Sequence, residues 1–171
     1  MEDIKNYEGA VFFVDILGIS ALTNGAIPLK NEDFKPWLND RKLYTNQFLG
    51  ASILTEFRKL LSSIKGKNSK ITITQLSDCA FIWSEDILEV LVFCSKFMHQ
   101  AIKNGILCRG GLAYGEIIET KQPHNLGRFI LGDAVTQAAK LESQSKGCRV
   151  LINRGLPETL SLKVCKLKRD A

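Results

Sequence analysis

Five apolar residues in a row, Ala10-Val-Phe-Phe-Val14, lead directly into Asp15. The run is short and rich in β-branched and aromatic residues, which predicts a central strand over Ala10–Asp15. Gly18 breaks that strand, and Ser20 has the side chain to cap a short helix. From Gly25 to Asp40, Pro28, Pro36 and several polar residues replace any periodic pattern, so this segment reads as a loop or mobile insertion. Over Leu43–Ile64 the apolar residues Phe48, Ile53, Leu54, Phe57, Leu60 and Leu61 recur at the spacing of one helical face. Lys70–Leu76 alternates instead, through Ile71-Thr-Ile-Thr74, and Cys79–Trp83 follows at once. That pair predicts a hairpin with Ser77-Asp78 at its turn. Ile87–Ile102 is a second amphipathic helix, stopped by Asn104-Gly105. Leu107–Ile118 reads as a long strand in which Gly110, Gly111 and Gly115 permit a bulge or a close backbone approach. A third helix over Leu131–Ser145, a short strand at Arg149–Ile152, a helical turn after Pro157 and a strand at Leu162–Leu167 complete the pattern.

A strand, a helix, a hairpin, a second helix and a long strand make a split βαβ unit. The expectation is an α+β fold with a ferredoxin-like core, its mostly antiparallel sheet covered by helices on one face. A chain of 171 residues is expected to form one domain, 1–171. No apolar run approaches the ~20 residues of a membrane span. The polar start Met1-Glu-Asp-Ile-Lys does not read as a signal peptide, so a cytoplasmic location without a membrane partner is expected.

Composition changes this picture little. Apolar residues are 45% of the chain and charged residues 24%, ordinary for a globular fold. A net charge of +5 suits an anionic ligand such as a triphosphate. Part of the excess sits in Lys163, Lys166, Lys168 and Arg169, and a solvated basic surface explains it equally well. No motif of stacking aromatics accompanies the charge, so stable nucleic-acid binding is not expected. Five widely spaced cysteines without a CxxC pair argue against a zinc ribbon and a disulfide framework. His99 and His124 are the only histidines, which argues against chemistry by a histidine cluster.

The candidate chemistry therefore rests on acids. Asp15 ends an apolar strand, where a lone carboxylate is costly to bury. A glycine and a helix start follow it. The carboxylate can thus hold a divalent ion while the amides from Ile16 to Ser20 face phosphate oxygens. The competing reading is a simple turn cap. Asp78 shifts the balance, because in a ferredoxin-like sheet the end of the first strand and the hairpin turn meet at one edge. Two carboxylates held together repel unless an ion or a proton comes between them. Asp78 after Ser77 is also an ordinary turn former.

Four blocks then resemble the class III nucleotidyl cyclases, in the family's order. Phe13-Val-Asp-Ile-Leu-Gly-Ile-Ser20 is similar to F-x-D-I-x-G-F-[ST], and Gln75-Leu-Ser-Asp78 to K-x-x-G-D. Arg109-Gly-Gly-Leu-Ala-Tyr-Gly-Glu116 is similar to R-x-G-[IV]-x-x-G, and Leu131–Glu142 to G-x-x-V-N-x-A-x-R-L-E. The resemblance runs from about Phe13 to Glu142. The strings F-V-D-I-L-G-I-S, L-S-D and R-G-G-L-A-Y-G-E look most like the pyrimidine cyclases of the bacterial Pycsar antiphage system. The chain departs from adenylate cyclases where that family reads adenine with a Lys and an Asp. Those positions are matched here by Gln75 and Phe129. The transition-state Asn and Arg of the family become Thr136 and Lys140.

The resemblance implies conversion of UTP, or CTP, to the 3′,5′-cyclic nucleotide with two Mn2+ or Mg2+ ions per site. It implies a homodimer with sites at the interface, and a separate effector that reads the product. Asp15 and Asp78 would bind metal, with the backbone carbonyl of Ile16 as a further ligand. Phe13 and the loop Ile16, Leu17, Gly18, Ile19 and Ser20 would bind substrate. Lys140 from the partner subunit, with Thr136, would act on the transition state. Tyr44 is a candidate for closing the base pocket, or a half-buried aromatic at a helix start. Gln75 can read a pyrimidine edge, or simply face solvent. Arg109 contacts phosphate or has a structural or dimer role, and Asp133 caps the third helix. An atypical purine cyclase and a degenerate nucleotide-binding domain are the alternatives. Without G-G-[DE]-E-F or G-G-D-D strings, a diguanylate cyclase or polymerase palm is disfavoured.

Overall fold

The computed structural model describes residues 4–67, 69–120 and 128–161. The first strand, β1 (Ile4–Ile16), is much longer than its apolar run. Two short helices follow, α1 (Ile19–Thr23) and α2 (Asn31–Phe34), then a single 3-10 turn at Arg41–Leu43 and the long α3 (Asn46–Lys65). The hairpin β2 (Thr72–Leu76) and β3 (Cys79–Ser84) turns through Ser77, which has φ 56°. Next come α4 (Ile87–Lys103), β4 (Cys108–Thr120), β5 (Ile130–Leu131), α5 (Asp133–Gln144) and β6 (Val150–Ile152). A last helix covers 156–161. The expected strand Leu162–Leu167, the basic tail, Cys165 and His124 lie outside the described residues.

Sheet order is β2-β3-β1-β4-β5, and β6 pairs in parallel with β4. All other pairings are antiparallel. The order β2-β3-β1-β4 is that of a ferredoxin-like core, as the order of elements predicts.

The helices lie on both faces of the sheet, not on one. Even-numbered residues of β1, from Ala10 to Ile16, pack with Phe57, Leu60 and Leu61 of α3 and with Val90, Phe93 and Phe97 of α4. Odd-numbered Val11, with Trp83, Ala113 and Ile117, packs against Ala134 and Ala138 of α5. The uninterrupted apolar run of β1 reflects this: alternation disappears when both faces of a strand are covered.

Gly111 sets how closely α5 approaches. A Cβ there would lie 2.0 Å from the Ala138 carbonyl oxygen and 2.7 Å from the Glu142 amide nitrogen. Gly111→Ala is therefore expected to push α5 off the sheet, at a cost of about 1–3 kcal/mol. Urea denaturation checks this, and an unchanged midpoint would refute the close fit.

The 25–40 segment is not an open loop. It contains α2, and Phe34 is buried with Leu22 and Leu49 in a third apolar cluster. Two prolines and several polar residues hid one apolar anchor that the chain folds back onto α3.

Among the described cysteines, Cys94 and Cys108 are buried, Cys79 is half-buried and Cys148 is exposed. Burial pushes the Cys94 and Cys108 thiols up to about 12. Both stay protonated at pH 8, so native protein should be alkylated at Cys148 while they resist. Peptide mass mapping after brief iodoacetamide treatment tests this.

Candidate active site

Strand pairing brings the two acids together. Asp15 lies opposite Cys79 in β3 and opposite Arg109 in β4. The Ile16 amide donates to the Asp78 carbonyl oxygen at 3.0 Å, so the hairpin turn is tied to the end of β1. The Leu17 amide donates to the Leu107 carbonyl oxygen at 2.8 Å. Both amides are therefore committed to backbone partners. Of the amides expected to face phosphate, this leaves those of Gly18, Ile19 and Ser20.

Gly18 makes that loop possible. It sits at φ 86°, ψ 0° as the cap of α1, and no side chain caps the helix. A Cβ at Gly18 would meet nothing within 4 Å, so the requirement is conformational and not one of space. Ser20 lies inside α1 and is not its cap. The cue to a glycine cap was the left-handed turn needed directly after the strand. Behind the loop, Ile16, Leu17, Gly18 and Ile19 share a cavity of about 240 Å³ with Ile27, Leu29 and Leu107. The 25–40 segment thus supports the loop from the side away from the acids.

Asp15 is half-buried. Burial raises its carboxyl above the ordinary value, and the charges of Glu142 and Asp78 push it the same way. Arg109 opposes them, with Nη2 lying 3.4 Å from Asp15 Oδ2. Arg109 Nε is in close contact with Glu142 Oε1, and the Glu142 side chain is only 9% exposed. The sequence reading missed Glu142 as part of this cluster. Its signal was a carboxylate four residues after Ala138, on the sheet-facing side of α5.

Cys79 also belongs to the site. Its thiol is raised by burial first and then by Asp78, Asp15 and Glu142. Phe13 stacks on Phe81 with ring centroids 4.3 Å apart, on the same side of the sheet as Asp15. Thr74 pairs with Phe81 and shares this side. Gln75 pairs with Ala80 and faces the other way. Its side chain accepts from Arg58 Nε and donates to the Ser77 carbonyl oxygen, both at 2.9 Å. Counting the strand alternation back from Asp78 identifies Thr74, and not Gln75, as the hairpin residue facing the site.

Other predicted residues stand apart from the acids. Tyr44 stacks on Phe34 at 5.0 Å, inside the third apolar cluster. Lys140 and Thr136 lie four residues apart on the exposed side of α5, turned away from their own sheet. Thr136 Oγ1 donates to the Gly132 carbonyl oxygen at 3.1 Å. Phe129 is exposed. Asp133 begins α5 and its carboxylate accepts from Gln137, while Gly132 holds the cap position.

The donor set suits a hard divalent ion. Two carboxylates and the backbone carbonyls of the Ile16 loop are all oxygen ligands. Among the described residues, no group of three or more acidic, histidine or cysteine side chains is arranged to hold a metal. An ion bound by Asp15 and Asp78 must therefore complete its shell with backbone, water and phosphate oxygens, the usual arrangement where Mg2+ meets a nucleotide.

Neither a family model nor a curated protein matches the sequence. Solved structures do. The adenylyl cyclase CyaB from P. aeruginosa superposes with a TM-score of 0.65 at 16% identity, over 93% of this chain and 83% of that one. A bacterial light-regulated adenylyl cyclase gives 0.64 at 18% identity, over 92% and 81%. The monomeric guanylyl cyclase domain of the RhoGC fusion protein from Blastocladiella emersonii gives 0.60 at 17% identity, over 93% and 88%. This is the class III nucleotidyl cyclase fold. The cyclase fold accounts for the curled antiparallel sheet and for helices on both of its faces. At such low identity the likeness concerns architecture alone. No helix among the described residues is long and apolar enough to cross a membrane.

Proposed function

We propose that the protein is a nucleotidyl cyclase acting on a pyrimidine triphosphate, with UTP favoured over CTP. The reading rests on one observation: within a cyclase fold, strand register places Asp15 beside the Asp78 turn. The products are 3′,5′-cyclic UMP, or cyclic CMP, and pyrophosphate. The ribose 3′-oxygen bonds to the α-phosphorus, the bond from that phosphorus to the pyrophosphate oxygen breaks, and the hydroxyl proton passes to solvent water.

Asp15 and Asp78 would hold two Mn2+ or Mg2+ ions, with the Ile16 carbonyl as a further ligand. When bound, these ions lower the pKa of the 3′-hydroxyl and neutralise charge on the departing pyrophosphate. The amides of Gly18, Ile19 and Ser20 orient the triphosphate tail. The Phe13–Phe81 pair and Thr74 flank the space left for the base. Lys140 reaches the site from the second copy of a homodimer, which agrees with its exposed place on α5. Thr136 joins it by releasing its bond to Gly132. Leu76, 74% exposed at the hairpin tip, gives such a dimer an apolar contact beside the site.

A pyrimidine is preferred because the adenine-reading Lys and Asp of the family are missing. Thr74 at the inward-facing hairpin position offers one hydroxyl, too little to specify a purine edge. The product would act in antiphage defence as a second messenger for a separate effector. A purine substrate is the second reading, favoured by the adenylyl and guanylyl cyclases among the structural neighbours. Purified protein incubated with Mn2+ and each of the four ribonucleoside triphosphates decides between them. Cyclic UMP or cyclic CMP as the main product supports the proposal, and cyclic AMP or cyclic GMP overturns it.

A further inference from the structure

Asp78 sits in a turn that its own backbone does not favour. Ser77, directly before it, has φ 56°, a region that residues with a side chain seldom adopt. Such a conformation persists where its surroundings fix it. Both peptide groups that flank Asp78 are held. The one after it is tied to β1, where the Ile16 amide donates to the Asp78 carbonyl oxygen at 3.0 Å. The one before it is held by a side chain: Gln75 Nε2 donates to the Ser77 carbonyl oxygen at 2.9 Å. Gln75 Oε1 in turn accepts from Arg58 Nε, also at 2.9 Å. Arg58 stands on α3, which Phe57, Leu60 and Leu61 anchor in the core. A side-chain amide suits both partners at once. Glutamate could not donate to the carbonyl, and lysine could not accept from the guanidinium.

We propose that Gln75 is a positioning residue: braced by Arg58, it fixes the peptide between Ser77 and Asp78 and so aims the Asp78 carboxylate at Asp15. This rests on the reading of Asp78 as a metal ligand. Without the brace that peptide is free to rotate, and Ser77 relaxes out of its left-handed conformation. Asp78 then spends part of its time turned away from Asp15, and a divalent ion loses one of its two carboxylates. Gln75 acts through Asp78 and touches neither ion nor nucleotide, because it lies on the opposite side of β2 from Thr74.

The test is Mn2+ binding to the full chain without nucleotide, read from the free-Mn2+ electron paramagnetic resonance signal. Asp78→Asn should lose the Asp78-dependent binding. Equal binding by wild type and Asp78→Asn would remove the metal reading, and this proposal with it. Gln75→Met keeps the length of the side chain and loses both bonds. It should weaken Mn2+ binding about fivefold, the weight of one hydrogen bond. A Gln75 that reads the base would leave nucleotide-free binding untouched. Unchanged binding in Gln75→Met while Asp78→Asn loses it therefore overturns the proposal and leaves the metal reading standing. Arg58→Ala should weaken binding at least about twofold more in wild type than in the Gln75→Met background, where the bridge is already gone and only the lost charge is read. Equal effects in both backgrounds would overturn the bridge. If Gln75→Met does not fold, Arg58→Ala, an exposed position, carries the test through hydrogen exchange at the Ile16 amide. Exchange severalfold faster than in wild type is expected, and an unchanged rate overturns the proposal.

Discussion

Asp15→Ala and Asp78→Ala each abolish cyclic nucleotide formation, a loss of at least about a thousandfold, if both carboxylates hold the catalytic ions. Product is measured by mass spectrometry after incubation with Mn2+ and the preferred triphosphate. The loss should not come from unfolding. Asp15 sits near the end of the central strand β1, and its folded carboxyl is raised by burial, Glu142 and Asp78. A carboxyl raised on folding contributes stability that is full below the unfolded value, near 3.8, and lost as pH rises through the folded value. At neutral pH its charge is a burden on the fold that Arg109 only partly offsets. Asp15→Asn removes this burden, so its thermal midpoint should equal or exceed that of wild type. The gap between the two should widen from pH 4 to pH 7. Robust product from either alanine variant would refute the metal reading.

The second large effect is recovery of activity. Asp15→Ala and Lys140→Ala are each expected to be inactive as homodimers. Mixed and allowed to exchange subunits, they should regain about a quarter of wild-type turnover. Half of the dimers are then mixed, and each mixed dimer contains one site with Asp15 and Lys140 both intact. The placement of Lys140 motivates this, since it is exposed on the side of α5 away from its own sheet. A single chain does not bring it to Asp15. No recovery after exchange would mean that the residues of one site do not come from two chains.

Local pattern made much of the fold legible. The 3.6-residue spacing of Phe57, Leu60, Leu61 and Ile64 marked α3, and the alternation around Ile73 marked β2. The turn at Ser77-Asp78 was legible because two apolar alternating runs leave only those residues between them. From there the meeting of Asp15 with Asp78 followed by topology alone.

What the sequence hid was long-range. Glu142 and Arg109 are adjacent only because Gly111 lets α5 settle on β4, and nothing local records that approach. The two-sided burial of β1 was present in its unbroken apolar run, but the layer on the second face depends on α5, more than 100 residues later. Gln75 was misplaced by one step, because motif spacing does not show which side of a strand a residue faces. Of the two readings of Tyr44, the half-buried aromatic at a helix start is the one the fold shows, and its partner, Phe34, was hidden in a segment whose prolines conceal a buried anchor.

The bond from the Ile16 amide to the Asp78 carbonyl has a consequence for how this gene can fail. Deleting one codon anywhere from Ala80 to Ile82 would leave both acids encoded and most of the core composition unchanged. It would still slide β3 against β1 and turn Asp78 out of reach of Asp15. Frame-preserving deletions in this strand should therefore appear among inactive alleles as readily as substitutions of the acids themselves.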